Sequence, residues 1–219
     1  MKLSERLYNS AKDIWEKYHE HPFVKGIGDG TLDIDKFRFF MVQDYLYLLD
    51  YAKVFALGVV KSRDEDIMRK FASLVNGTLD SEMKVHKTYM ERLGITKDEI
   101  KNAKPSIVNT SYTKYMLQIG HDMGVLELLV SILSCSWSYK EIGDRLAKNP
   151  NSLNHEFYGE WIKGYSSKEY AKDNNEIIEL VDRLGENCTD EEFEVLRDIF
   201  VNCSRYEYMF WDMSYKKEM

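Results

Sequence analysis

The stretch that decides the fold is LLVSILSCSWSYKEIGDRL, residues 128–146. Its apolar residues Leu129, Ile132 and Leu133 recur three and four positions apart, which places them on one face of an α-helix. A cysteine, Cys135, lies among serines in the middle of this predicted helix. Cys135 is either a small buried residue or a nucleophile, and the two alternatives imply different functions.

The same helical periodicity extends along almost the whole chain. Glycine and proline are scarce, 12 and 3 among 219 residues, and no segment alternates polar and apolar residues between hairpin turns as strands do. We predict one all-α domain over residues 1–219, built from long antiparallel helices with short connections. The predicted helices span about 3–20, 33–61, 64–93, 106–120, 124–148, 153–163, 167–185 and 190–217, with a short turn near 97–103.

Turn and capping residues separate the predicted helices. The segment GIGDGT at 26–31 is rich in turn-forming residues, and we interpret it as a break between helices. Thr96 with Glu99, and Thr189 with Glu192, have the spacing of capping boxes. In a capping box each side chain accepts a hydrogen bond from the backbone N–H of the other residue, which marks a helix start.

The charge distribution limits the kinds of partner. The formal net charge is −7 at pH 7, and no block of Lys or Arg stands out. Nucleic acids and anionic membranes bind clustered positive charge, so we expect no nucleic-acid and no membrane partner. The longest apolar run, VFALGVV at 54–60, is much shorter than the roughly 20 residues of a transmembrane helix.

The N-terminal segment and the cysteines indicate the compartment. Residues 1–21 carry charges throughout and contain no apolar core of a signal peptide. Three widely spaced cysteines make neither a disulfide framework nor a zinc ribbon. We therefore expect a reducing, cytoplasmic environment.

The first candidate site residue is Asp44, in the predicted 33–61 helix. Tyr47, Leu48 and Tyr51 follow it at i+3, i+4 and i+7, so all four share one face. A carboxylate on an otherwise aromatic and aliphatic face is unusual. It either binds a ligand or forms a structural pair with a tyrosine hydroxyl inside the bundle.

The second candidate is Cys135. Ser131, Cys135 and Tyr139 follow one another at i, i+4 and i+8, a stripe that lets a ligand or another backbone come close. The phenol one turn away can orient a substrate or form a hydrogen bond with the thiol. Cysteine is among the most often buried residue types, so a structural role remains the alternative. We expect no catalytic role for Cys188 and Cys203.

The third candidate is Glu207, which shares a face of the last predicted helix with Cys203, Phe210 and Trp211. Among aromatic rings its carboxyl would be partly desolvated. Desolvation favours the protonated form and suits a general acid or base near neutral pH. The alternative is a glutamate at the edge of the bundle, paired with Arg205 or a lysine.

Histidine is too scarce for the usual metal sites of helical bundles. Only five occur, and no two helices carry the paired Glu-x-x-His motifs of a di-iron centre. Glu82 and His86 lie one turn apart on one helix, and His19 and His21 lie at a helix end. We expect no metal, no haem and no other cofactor. The segment GIGDG at 26–30 also lacks the spacing of a dinucleotide-binding loop.

Six segments of the chain resemble the TenA family, also called thiaminase II or aminopyrimidine aminohydrolase. They follow the family's order over nearly the whole chain, and the combination of Asp-x-x-Tyr, Cys-x-Trp-x-Tyr and Tyr-Glu-Tyr makes the resemblance specific. It implies a haem-oxygenase-like helical bundle that binds no haem and assembles as a homotetramer. The segments are HPFVKGIGDGTL (21–32), FFMVQDYLYLLDYAKVFALG (39–58), SYTKYM (111–116), CSWSYKEIGDRL (135–146), WIKGYSS (161–167) and SRYEYMFWDMSYKKE (204–218).

The resemblance also implies an activity. The family hydrolyses the bond between the 5-methylene of a 2-methyl-4-aminopyrimidine and its leaving group, which is an amine in degraded thiamine or the thiazolium of thiamine itself. The product is hydroxymethylpyrimidine, which feeds thiamine salvage. We therefore expect a small-molecule partner, an aminopyrimidine or thiamine.

Each candidate residue has a counterpart in the family. Cys135 corresponds to the nucleophile, Glu207 to the acid/base and Asp44 to the substrate-binding aspartate. Tyr47 corresponds to the tyrosine thought to activate the thiol. The tyrosines of the substrate pocket correspond to Tyr112, Tyr139 and Tyr165.

Two other interpretations stay open at this point. A non-catalytic helical module would bind a pyrimidine or act as a regulatory scaffold, although binding alone does not require the Cys135 thiol. A different haem-oxygenase-like enzyme would be an oxidase with or without a metal. The scarcity of histidine disfavours the metal version, and bound iron or a haem absorption band in the purified protein would favour it.

Overall fold

The computed structural model describes all residues, 1–219, and its regular elements are helices. This confirms the prediction of an all-α protein. The eleven α-helices are α1 (Leu3–Glu20), α2 (Pro22–Asp29), α3 (Ile34–Lys61), α4 (Glu65–Asn76), α5 (Met83–Arg92), α6 (Lys97–Asn102), α7 (Ile107–Asp122), α8 (Val125–Ala147), α9 (Tyr158–Tyr165), α10 (Lys168–Leu184) and α11 (Asp190–Lys216).

The predicted helix 64–93 is wrong as a single element. A π-helical segment, Gly77–Glu82, separates α4 from α5. Gly77 and Thr78 at its start are weak α-helix formers, and the wider π turn inserts extra residues into the helical path. The predicted helix 153–163 also divides, into a 3₁₀ turn at Ser152–Asn154 followed by α9.

The glycine-rich segment at 26–31 is largely helical, which corrects the predicted break. His21 begins α2 by accepting the Phe23 N–H at Nδ1, 3.1 Å away. The helix continues to Gly30, whose left-handed backbone (φ 71°) ends it as glycine can. Position 26 requires a residue without a side chain, because a Cβ there would lie 3.0 Å from the Leu32 backbone.

Both predicted capping boxes are confirmed. The Thr96 N–H donates to Glu99 Oε2 at 2.7 Å, and the Glu99 N–H donates to Thr96 Oγ1 at 3.1 Å. The Thr189 N–H donates to Glu192 Oε2 at 2.8 Å, and the return bond is 3.2 Å. Local sequence therefore sets the starts of α6 and α11.

The chain divides into two compact units. Unit 1 comprises residues 1–33 and 129–215, and unit 2 comprises residues 34–128 and 216–219. None of the helices in either unit combines the length and the apolar character that crossing a bilayer requires. The organisation of residues 1–219 as one domain stays a prediction.

In unit 1, α1 packs against α2 and α10. Its buried face consists of Leu7, Ala11, Trp15 and Tyr18, which are at most 1% exposed. In α8 the predicted apolar stripe is confirmed, since Leu129, Ile132 and Leu133 are fully buried. Each such aliphatic side chain contributes about 1.5–3 kcal/mol when it leaves water, so the stripe fixes which face of α8 is turned inward.

In unit 2, α3 is the central helix and α4, α5 and α7 pack against it. Gly58 makes the contact with α4 possible, because a Cβ at this position would lie 2.3 Å from the Phe71 ring. Phe37 of α3 also contacts Tyr89 of α5, with ring centroids 6.0 Å apart. The contact between Phe37 and Tyr89 holds α5 beside the half of α3 that contains Asp44.

Candidate active site

Cys135 lies in the middle of α8 and keeps partial solvent exposure. Two serines close to it in the helix are more deeply buried, since Ser134 is fully buried and Ser138 is 1% exposed. The Ser138 hydroxyl donates to the Cys135 carbonyl oxygen at 3.2 Å. A thiol that reacts needs access to its substrate, and Cys135 is therefore placed differently from a cysteine that only fills the core.

Glu207 lies in α11 and is 2% exposed. The alternative of a glutamate at the edge of the bundle is therefore wrong. Arg205, its suggested partner, is exposed, and its guanidinium donates to Asn202 Oδ1 at 3.3 Å. A buried carboxyl in an aromatic surrounding fits the desolvated acid predicted from the sequence.

Two contacts between α8 and α11 flank Cys135 and Glu207. The hydroxyls of Ser134 and Ser204 are 2.9 Å apart. The rings of Tyr139 and Trp211 have centroids 5.0 Å apart. Cys135 lies between the two contact positions of α8, and Glu207 lies between the two contact positions of α11. The two helices therefore bring these stretches side by side in unit 1.

A buried network at Ser204 reinforces this arrangement. Ser204 Oγ accepts the Trp15 Nε1–H at 2.9 Å, and the Ser204 carbonyl oxygen accepts the Tyr18 hydroxyl. Burial raises the pKa of Tyr18 well above its usual value, and the nearby Glu207 and Cys135 act in the same direction. Tyr18 is thus a neutral phenol close to both the thiol and the carboxyl. No signal in the sequence distinguishes Tyr18, because on α1 it is one more residue of the apolar face.

Aromatic rings form one side of the Cys135 region. Tyr139 is 4.8 Å from Tyr165 between ring centroids and 5.9 Å from Trp161. Tyr165 in turn lies 5.1 Å from Tyr170. The structure thus brings the predicted pocket residues Tyr139 and Tyr165 together in unit 1, and such rings can stack on a flat heterocycle.

The two other cysteines differ from Cys135. Cys203 is fully buried, and burial followed by the neighbouring Glu207 raises its pKa well above the usual value. It therefore stays a protonated, unreactive thiol. Cys188 lies outside the helices, between α10 and α11. That neither cysteine has a catalytic role stays a prediction.

In unit 2, Asp44 on α3 contacts His86 on α5. Asp44 Oδ2 and His86 Nε2 are 2.6 Å apart, and the two residues are 5% and 6% exposed. The sequence alternative of a structural Asp–Tyr pair is wrong, since the carboxylate bonds to an imidazole. The one signal for this pair in the sequence is the spacing of Glu82 and His86 one turn apart, which by itself indicates a metal site as readily as a hydrogen-bonded pair.

A second acid lies beside this pair. Glu82 is the last residue of the π segment, and its carbonyl oxygen is 3.1 Å from His86 Nδ1. Although the residue keeps some exposure, burial raises the pKa of its carboxyl to about 7. His86 lowers this pKa, and Asp44 raises it further. Unit 2 therefore brings two carboxyls, one from α3 and one from the π segment, close to the imidazole of α5.

Tyr47 and Tyr112 also meet in unit 2. Their ring centroids are 5.4 Å apart, and Tyr47 stacks on Tyr51 at 5.1 Å. The Tyr47 hydroxyl lies 3.9 Å from Met116 Sδ. Tyr112 is fully buried and Tyr47 is 4% exposed. The role of Tyr47 in activating Cys135 stays a prediction.

The predicted site residues thus form two groups. Cys135, Glu207, Tyr139 and Tyr165 lie in unit 1, whereas Asp44, Tyr47 and Tyr112 lie in unit 2. Each group contains one carboxyl side chain and two tyrosine rings. That both groups act on the same substrate stays a prediction from the sequence.

These features define a class of protein, an all-helical chain of the haem-oxygenase-like fold with a thiol and a carboxyl side by side. Haem oxygenase-1 from Synechocystis has a TM-score of 0.65 over 97% of this chain and 91% of its own, and at 15% identity it shows the fold alone. A TenA homologue from P. horikoshii OT3 has a TM-score of 0.90 at 28% identity and covers 99% of both chains.

Residues 8–217 match the TENA/THI-4/PQQC family, and the chain belongs to this family. It is similar to an aminopyrimidine aminohydrolase from Helicobacter pylori, which is 50% identical over 216 residues, 99% of this chain and 100% of that one. The resemblance inferred from the six segments is thereby confirmed.

Proposed function

We propose that the protein is an aminopyrimidine aminohydrolase, a thiaminase II. It hydrolyses the C–N bond at the 5-methylene of 4-amino-5-aminomethyl-2-methylpyrimidine, and of thiamine, to yield hydroxymethylpyrimidine for thiamine salvage. The observation that carries this proposal is that a partly exposed thiol, Cys135, and a buried carboxyl, Glu207, lie on the adjacent stretches of α8 and α11 in unit 1. The full-length similarity to aminohydrolases of the family supports it.

The reaction requires a nucleophile because an aromatic methylene with an amine leaving group is a poor electrophile. The Cys135 thiolate adds to the ring carbon beside the substituted carbon, and Glu207 transfers a proton to the ring nitrogen. Aromaticity is lost in this step. Covalent catalysis divides one difficult displacement into easier steps.

The remaining steps restore the enzyme. The electron pair of the dearomatised ring expels the protonated amine and leaves an exocyclic methylene. Water adds to this methylene, the ring nitrogen returns its proton to Glu207, and the thiolate departs as aromaticity returns. The sum is aminomethylpyrimidine and water giving hydroxymethylpyrimidine and ammonia.

The remaining parts of the site have binding roles in this proposal. Tyr139 and Tyr165 provide faces for the pyrimidine ring, and Tyr112 provides another aromatic wall. Asp44 binds the 4-amino group and sets the register of the ring. Tyr47 stabilises the thiolate through its hydroxyl, since a hydrogen bond to an anion favours the charged form.

The proposal includes the compartment and the assembly. We expect a cytoplasmic homotetramer whose 219 residues per chain act as one domain and which needs no cofactor. One chain has a mass of 25.8 kDa, so sedimentation equilibrium should give about four times this mass. A monomeric mass at micromolar concentration would contradict the tetramer without affecting the proposed chemistry.

One assay tests the activity. The purified protein is incubated with aminomethylpyrimidine and, separately, with thiamine, and kcat/KM is measured for each by the appearance of hydroxymethylpyrimidine. Turnover of either substrate supports the aminohydrolase, and the ratio identifies the preferred one. Binding of hydroxymethylpyrimidine without turnover of either substrate would favour the non-catalytic pyrimidine-binding module instead.

A further inference from the structure

The imidazole ring of His86 is buried and held by hydrogen bonds on both of its nitrogens. Its ring lies between two oxygen atoms from different elements, Asp44 Oδ2 of α3 at 2.6 Å and the Glu82 carbonyl oxygen of the π segment at 3.1 Å. The imidazole is 6% exposed. Helices α3, α5 and the π segment all pack against one another around it.

The two oxygen atoms fix where the protons are. A carbonyl oxygen only accepts, so Nδ1 of His86 carries a proton and donates it to Glu82. Nε2 therefore faces the Asp44 carboxyl either as a second N–H or as the acceptor of a carboxyl proton. In both cases one proton lies between Asp44 and His86, and the buried pair has no net charge.

The charged groups that act on His86 come from both elements packed against α5. These groups are Asp44 on α3 and Glu82 in the π segment. Burial alone would lower the pKa of His86, but the hydrogen bond and the charge of Asp44, with Glu82, raise it above its usual value. The π turn itself is of a kind that often occurs at functional sites.

We propose that His86 is a positioning residue for Asp44: it holds one carboxyl oxygen, Oδ2, and leaves the other, Oδ1, in a fixed orientation to accept the exocyclic amine of an aminopyrimidine. This inference rests on the proposed function for the identity of the ligand. The Glu82 carbonyl orients the ring through Nδ1, as the third member of the arrangement. Asp44 thus binds substrate, and His86 acts through it.

The arrangement predicts how binding depends on pH. When His86 loses its shared proton at alkaline pH, the Nε2 lone pair faces the Asp44 carboxylate and the two repel each other. The carboxylate then loses its fixed orientation, and KM for the aminopyrimidine rises. The sign follows from the shared proton, because the pair positions Asp44 only while that proton lies between the two side chains.

The first test does not require catalysis. The ring nitrogens of His86 are followed by NMR from about pH 6 to pH 9 in the wild-type chain and in Asp44→Asn, with His86→Gln to assign the signals. We expect both ring nitrogens of His86 to stay protonated at a pH where an imidazole of ordinary pKa is neutral. We also expect a lower midpoint in Asp44→Asn. An unchanged midpoint in Asp44→Asn would overturn the proposal.

The second test is kinetic, with 4-amino-5-aminomethyl-2-methylpyrimidine as substrate. His86→Leu removes the hydrogen bond to a charged group, so KM should rise about 10- to 100-fold with a smaller change in kcat. His86→Gln keeps an amide donor for Asp44 but cannot titrate. Its KM should return toward the wild-type value near neutral pH and lack the alkaline rise. His121→Gln, an exposed histidine of α7, should behave as wild type.

The variants distinguish positioning from a structural role. If His86→Gln retains the wild-type alkaline rise in KM, or if His86→Leu folds and keeps the wild-type KM, the proposal is wrong. If the wild-type protein turns over no aminopyrimidine, the proposed function fails. The NMR comparison of wild type with Asp44→Asn then still decides whether the two residues share a proton.

Discussion

Ser134 of α8 and Ser204 of α11 are joined by a hydrogen bond between their hydroxyls, 2.9 Å long and fully buried. Each serine is close in sequence to a residue of the proposed chemistry, Ser134 next to Cys135 and Ser204 one turn before Glu207. The bond therefore holds the two helices together at the stretches that carry Cys135 and Glu207.

Ser204→Ala should lower the free energy of unfolding by about 1–3 kcal/mol. The substitution leaves the buried Trp15 N–H without its acceptor, and an unsatisfied buried donor costs about this much. Urea denaturation measures the change. Ser166→Ala, which removes a local bond from the residue after α9 to the Ile162 carbonyl oxygen, should cost less. Equal losses would mean that the network adds nothing beyond local bonding.

Cys135→Ser should keep the fold and lose nearly all hydrolysis of aminomethylpyrimidine. A hydroxyl is a far weaker nucleophile than a thiolate near neutral pH. Circular dichroism checks the fold, and product release measures the rate. Cys188→Ser, between α10 and α11, should retain full activity. A Cys135→Ser enzyme that works at close to the wild-type rate would remove Cys135 from the mechanism.

Glu207→Gln should lower kcat by about 10²- to 10⁴-fold, the usual contribution of general acid–base catalysis. Glutamine cannot transfer a proton, so the limb of the pH–rate profile that reports Glu207 should flatten or shift. The matched control is Glu194→Gln, an exposed residue of the same helix that pairs with Arg197. An unaltered profile in Glu207→Gln would exclude Glu207 from proton transfer.

The raised pKa of Glu82 should make the free energy of unfolding depend on pH. Its pKa is raised to about 7 by burial, whereas in the unfolded chain it lies near 4.5. The unfolded state therefore releases this proton first, and stability falls as pH rises from about 4.5 to about 7. Loss of the raised-pKa proton of His86 continues the fall at higher pH.

Glu82→Gln should remove the part of this fall below about pH 7. Thermal denaturation across the pH range measures it. Glu65→Gln, at an exposed position of α4, should leave the slope as in the wild type. A Glu82→Gln protein with the wild-type slope would show that Glu82 ionises as freely in the folded chain as in the unfolded one.

Gly58→Ala should destabilise unit 2 by about 1–3 kcal/mol, the usual cost of overpacking. The added Cβ would lie 2.3 Å from the Phe71 ring, so α3 and α4 must move apart. Gly164→Ala in α9 is the control, since a Cβ there meets nothing within 4 Å. It should be neutral or stabilise by about 0.5–1 kcal/mol, because alanine favours helix. Equal effects at both positions would contradict the close helix contact.

The sequence by itself determined the helical class, most helix boundaries, both capping boxes and the buried stripe of α8. These features are local, because periodicity and capping act over three to four residues. It also placed Tyr139 one turn from Cys135 and Trp211 one turn from Glu207. It predicted a break at 26–31, where α2 runs through most of the segment, and one helix over 64–93, where a π segment interrupts the α-helix. The close approach of Gly26 to Leu32 that accompanies α2 is not contained in the local pattern.

Only the tertiary structure decided which helix faces meet. The bond between Ser134 and Ser204 joins positions 70 residues apart, and the bond between Asp44 and His86 joins positions 42 residues apart. No short-range pattern connects such pairs, because each partner is an ordinary residue of its own helix. Packing of the apolar faces brings them into hydrogen-bond distance, and burial then gives Tyr18, Glu82 and His86 protonation behaviour that the sequence alone does not reveal.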